Sequence, residues 1–93
     1  MKPSYARHRP DTTAKALAAE AKRLGVDVEH LGGTIDAILF LGRVVRLVEW
    51  KSAGGDLQPS QAKLIARGCP IYFVSTVEQT QALVADMRRE ALR

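Results

Sequence analysis

Apolar residues recur with helical spacing at both ends of this chain and alternate or run continuously through its middle, the pattern of a sheet with helices packed on it. Near the start, Asp11 or Thr12 caps an Ala-rich helix that stops at Gly25. Its inward stripe is Thr13, Leu17, Glu20 and Leu24, with Ala21 alongside. The alternating VDVEHL of residues 26–31 predicts a first strand, with Val26, Val28 and His30 on one face, and Gly32-Gly33 ends it. Two further strand-like runs, residues 35–41 and 44–51, flank a Gly42-Arg43 pair. Gly at the first central position is what a two-residue type II′ hairpin turn requires.

The glycine-rich SAGGDLQ of residues 52–58 lacks the terminal Gly-Lys-Ser/Thr of a phosphate-binding loop and reads as a connector. Pro59 opens a helix that runs to Arg67 and stops at Gly68. Within it Gln61 precedes Leu64 by three residues and Ile65 by four, so its amide falls on the inward stripe. IYFVS, residues 71–75, has the length and type of a buried strand parallel to the one before the crossover helix. Thr76 and Gln79 form a capping box for a last helix with Val77, Thr80, Val84, Met87 and Ala91 inward and Leu83 beside them. The order is α-β-β-β-α-β-α. Both hairpin faces are largely apolar, which implies an α/β fold whose mixed sheet is flanked on both sides by helices.

Ninety-three residues make one domain, and a chain of this size buries about 60–65% of its unfolded surface, so self-association would help it. The net charge of +4 suggests an anionic partner, although a small basic excess is also common on proteins without one. Residues 1–10, MKPSYARHRP, form a basic arm with two prolines and no periodicity. Its Lys2, Arg7 and Arg9, together with Arg43 in the hairpin turn, are the candidate phosphate contacts of a nucleic-acid partner, and an untethered polar terminus is the equal alternative for the arm. Arg88, Arg89 and Arg93 suit either the helix dipole or phosphates, with the dipole the stronger reading. Cys69 is the single cysteine. It supports neither a disulfide framework nor a cysteine-rich zinc site, and it fits a packing role in a reducing cytosol. His30 has no second His or Cys at metal-site spacing. With no long apolar run and no signal core, the expectation is a soluble cytoplasmic protein.

The hairpin carries the candidate chemistry. If Leu41 pairs with Val44, then Ile38 faces Leu47 and Asp36 faces Glu49, with Cβ atoms about 4.5–5.5 Å apart. Lys51, two residues beyond Glu49, points to the same face. Opposed carboxylates repel unless a cation lies between them. An ammonium group and a divalent metal are the candidates. Mg²⁺ or Mn²⁺ on two hard oxygens can generate a hydroxide and stabilise charge on a phosphoryl oxygen, the requirements of phosphodiester hydrolysis. A Glu-x-Lys ion pair at a strand end beside an incidental Asp is the plain alternative. Glu20 is either a snorkelling flank residue or a further member of this polar site.

Ile35-Asp36, then Glu49-Trp50-Lys51, then LQPSQ ending at Gln61 and opening a helix, then GCPIYFVS from Gly68, together resemble the VRR-NUC family of the PD-(D/E)xK nuclease superfamily. The likeness covers residues 33–84 and includes the order of elements. It implies a restriction-endonuclease-like core in a nuclease domain over residues 11–93, with Asp36 and Glu49 holding the metal. Lys51 would assist the attacking water, Gln61 would support the site, and Glu20 would correspond to the acidic residue of the family's first helix. Ile35 stands where the superfamily has Pro, a backbone-shaping rather than a chemical position. The resemblance further implies a homodimeric endonuclease acting on structured or branched DNA. A different class of protein, a catalytically weak DNA-binding subunit that orients a repair or replication partner, would use the same basic arm. A third is a small structural domain whose charged pair is incidental.

Overall fold

A computed structural model of the chain describes residues 8–51 and 56–93, with side chains from Thr13 onward. The elements are α1 (His8–Arg23), β1 (Asp27–His30), β2 (Ala37–Leu41), β3 (Val44–Trp50), α2 (Pro59–Ala66), β4 (Ile71–Val74) and α3 (Val77–Ala91), in the order the sequence predicts. Their strands form one mixed sheet of order β1-β2-β3-β4, antiparallel except for the parallel β3–β4 pair.

Helix α1 starts at His8, ahead of the expected cap at Asp11 or Thr12, and so takes in the last residues assigned to the arm. Pro10 is tolerated there because a proline in the first helical turn removes an N–H that has no acceptor within the helix. The rest of the arm, Lys2 and Arg7 included, lies outside the described residues, as does the side chain of Arg9. At its other end α1 closes as the sequence predicts. Gly25 takes φ +95°, its N–H donates to the Lys22 carbonyl, and the Val26 N–H donates to that of Ala21. This paired arrangement satisfies the last carbonyls and turns the chain into the sheet. The cap of α3 differs slightly from the expected box. Thr76 Oγ1 accepts from the Gln79 N–H at 3.0 Å, but Gln79 Oε1 reaches back to the N–H of Ser75 rather than of Thr76.

The hairpin register is the predicted one, running from Leu41 opposite Val44 to Ala37 opposite Val48. Gly42 supplies φ +62° at the first turn position. One sheet face carries Ala37, Leu39, Val44, Val48, Trp50 and Val74, all buried with Leu17, Ala18 and Ala21 of α1 and Leu83, Val84 and Met87 of α3. Arg46 shares that face at its rim, where its guanidinium meets Asp86 and Glu90 of α3 and lies 5.5 Å from the centre of the Tyr72 ring. Val77, expected on the inward stripe of α3, is exposed instead.

The expectation of helices covering both faces is met only in part. The second face bears Ile38, Phe40, Val45, Leu47, Ile71 and Phe73 by register, and on it Val45 is 52% exposed and Phe40 and Phe73 each 37%. Among the described residues its one helix is α2, whose eight residues span about 12 Å. That is too short to cover four strands, which together are about 14 Å wide before side chains are added. Among the described residues, no helix is long and apolar enough to cross a membrane.

The one-sided layering predicts unequal costs for neighbouring residues on β2. Leu39, fully buried, should lose about 2–5 kcal/mol of stability on substitution by Ala. Phe40→Ala should cost less than about half as much, because its ring already meets water. Chemical denaturation of both variants checks this, and equal losses would mean the open face is covered.

Candidate active site

The site forms where the hairpin ladder runs out. Beyond the Ala37–Val48 pair the next two opposed residues are Asp36 and Glu49, which a tight two-residue turn at the far end holds in step. Their carboxylates are pinned by crossed bonds between strands. The Asp36 N–H donates to Glu49 Oε1 at 3.1 Å, and the Trp50 N–H donates to Asp36 Oδ2 at 2.9 Å. Each acid therefore uses one oxygen to hold the opposite strand, and its second oxygen is not engaged by a backbone amide among the described residues.

Lys51 follows β3, where its N–H still pairs with the Val74 carbonyl at 2.8 Å. Its ammonium donates to the Asp56 carbonyl at 2.7 Å and to Gln61 Oε1 at 3.5 Å, and it lies 3.9 Å from Glu49 Oε2. Gln61 is 2% exposed. Its amide is committed at both ends: Nε2 donates to the Thr34 carbonyl at 3.0 Å, and Oε1 accepts from the Gln58 N–H at 3.2 Å. Gln61 thus fastens the start of α2 both to the segment leading into β2 and to Lys51. A buried amide is stable only when its donor and acceptor are used in this way.

Burial pushes the Glu49 carboxyl above its ordinary range, and the negative charge of Asp36 adds to the rise; the Gln61 amide, the Lys51 ammonium and the Asp36 N–H oppose it. Two acids held together beside one ammonium, with the Glu49 side chain 12% exposed, leave one net negative charge when both are ionised. A hard divalent cation such as Mg²⁺ or Mn²⁺ fits that donor set, because it binds through one or two carboxylates and keeps several waters. Among the described residues there is no group of three or more His, Cys, Asp or Glu side chains able to hold a metal.

The expected third acid does not join this pair. The Glu20 carboxylate is held by Arg23 at 2.9 and 2.6 Å and by Gln81 at 3.0 Å. These bonds, chiefly those from Arg23, lower its carboxyl to about 2. It ties α1 to α3 on the covered side of the sheet, the flank role rather than the site role. Arg43 is exposed in the turn, about 20 Å of strand away from Asp36. His30 is exposed at a strand end and Cys69 is a free thiol of intermediate exposure.

The sequence reading missed several contributors. The Thr34 and Asp56 carbonyls act through the backbone, which carries no residue-type signal. Phe73 lies directly beside Glu49 through the parallel β3–β4 register, and nothing in a crossover connection fixes that register in advance. The chain matches no protein-family model, no curated protein and no solved structure.

The strain between the acids has a measurable sign. Because Glu49 is raised above its unfolded value of 4.5, the folded protein binds its proton more tightly than the unfolded chain does. Ionised Glu49 therefore lowers stability above its folded pKa, and the loss is absent below about 4.5. Glu49→Gln keeps the acceptor for the Asp36 N–H and removes the charge. In EDTA at pH 7 it should melt at a higher temperature than the wild type, with the gain vanishing as the pH falls below that value. A variant less stable at pH 7 would contradict the reading.

Proposed function

We propose that the chain is a divalent-metal-dependent DNA endonuclease with a restriction-endonuclease-like core of the VRR-NUC type. The observation that carries this is the convergence of Asp36, Glu49, Lys51 and Gln61 at one end of one sheet face. In this reading Asp36 and Glu49 hold Mg²⁺ or Mn²⁺. When bound, such an ion lowers the pKa of a coordinated water and screens the charge that builds on the phosphoryl oxygen.

The protein's own groups do the rest. Lys51 orients the attacking water through its donor hydrogens and neutralises the phosphate as its charge rises. Gln61 and the Asp56 carbonyl keep the ammonium in place, which matters because a shift of about 1 Å in a catalytic group can cost two orders of magnitude in rate. Crossed hydrogen bonds fix Asp36 and Glu49 in the same manner. The net charge of +4 suits a nucleic-acid substrate. A cytoplasmic homodimer belongs to the proposal, and Phe40 and Val45 at the outer end of the open sheet face give it apolar surface.

Two measurements check these statements. With Mg²⁺ or Mn²⁺ the purified chain should cut at least one member of a set of single-stranded, duplex, flap and four-way-junction DNAs. Asp36→Ala and Lys51→Ala should each slow that cleavage by about 10²-fold or more while keeping a cooperative melt. A chain that cuts none of them, or that cuts equally well with either substitution, sinks the nuclease reading. Light scattering should give twice the 10.2 kDa chain mass, and a monomer at all concentrations would remove the dimer.

A further inference from the structure

The open sheet face holds an aromatic ring that the chemistry above does not use. Phe73 on β4 is the direct partner of Glu49 on β3, so its side chain rises from the sheet beside the carboxylate. It is 37% exposed and stands apart from the buried core cluster. The Lys51 ammonium lies 5.7 Å from the centre of the ring. A partly bare ring is thus set against the cation that would meet the phosphate.

The other exposed aromatics among the described residues lack this combination. Tyr72 is on the opposite face, away from Glu49 and Lys51, and the cation over its ring is Arg46, which is tied to Asp86 and Glu90. Phe40 is paired with Asp27 at the far end of β2, next to a carboxylate that would repel a phosphate chain. Phe73 alone among these joins an accessible ring to a phosphate-directed cation and a catalytic carboxylate.

We propose that Phe73 is a stacking platform for an unpaired base adjacent to the phosphate engaged by Lys51. This inference rests on the nuclease reading and narrows its substrate class to DNA with single-stranded nucleotides at the point of cleavage. A base and its phosphate are separated by about one sugar, so a phosphate at Lys51 leaves the neighbouring base within reach of the ring. In duplex DNA the faces of that base are already stacked on their neighbours. An unpaired base has its face free, and stacking on a protein aromatic side chain then contributes binding without sequence preference. The ammonium lies over the Phe73 ring in a cation–π contact and attracts the phosphate.

The test compares wild type, Phe73→Leu and Phe73→Trp. Leu keeps an apolar side chain on the strand, and Trp restores a ring. Affinity for a short fluorescent oligothymidylate and for a blunt duplex is read by anisotropy in EDTA, and kcat/KM for the same two DNAs is read with Mn²⁺. Phe73→Leu should weaken single-strand binding by about ten-fold or more, change duplex binding less than about two-fold, and lose kcat/KM on the single strand through KM. Phe73→Trp should restore single-strand binding and show quenching of the new indole on addition of oligothymidylate. Equal losses on both DNAs, or no loss on either, would overturn the platform, as would failure of Trp to rescue. Ring-dependent binding without any metal-dependent cleavage would sink the nuclease reading and leave the platform standing. Cleavage that ignores residue 73 would do the reverse.

Discussion

The opposition of Asp36 and Glu49 across the end of a tight hairpin is the constraint on which the rest of the site depends. Two ionised acids at cross-strand distance repel, and a strand end is where a ladder most easily frays. The chain offsets both effects with the same atoms, since each acid accepts an N–H of the opposite strand and so replaces a backbone carbonyl that the ladder no longer supplies. Lys51 and Gln61 then approach from the third side. The cost remains visible in the raised Glu49 carboxyl. In the proposed reading, the charge left in place at some loss of stability is what a bound cation would meet.

The layering serves that site. Helices α1 and α3 bury one sheet face around Leu39, Val48, Val84 and Met87, which fixes the hairpin as a rigid base. Short α2 contributes mainly through Gln61, its one buried residue. Had a longer helix covered the second face, Phe73 and the carboxylates would have been closed to a polymer. In the proposed reading, rigid support behind and an open face in front leave room for a substrate as large as nucleic acid.

Much of this was legible in the sequence, for identifiable reasons. The order of elements follows from periodicity and from strong stop signals at Gly25, Gly42 and Gly68, each of which takes positive φ. The Asp36–Glu49 opposition follows from a two-residue turn, because turn length fixes register. Gln61 was placed inward by helical spacing and is buried. What escaped depends on tertiary contact. Glu20 sat on an apolar stripe, but Arg23 one turn away and Gln81 on a distant helix drew it to the surface of the α1–α3 pair. Arg46 broke the alternation of β3, and only the acids of α3 explain it. One-sided coverage escaped because both hairpin faces are apolar, and an apolar face says that something covers it without saying that the cover is in the same chain.

Mn²⁺ binding, followed by electron paramagnetic resonance of the free ion with and without DNA, tests the central claim that the opposed carboxylates are a metal seat. Saturable binding is expected in the wild type. It should weaken as the pH falls through the raised Glu49 titration, since proton and metal compete for the same oxygens. Glu49→Gln and Asp36→Asn should lose that binding while keeping a cooperative melt. Binding unchanged in both variants, or no Mn²⁺ bound by the wild type even with DNA present, would contradict the account.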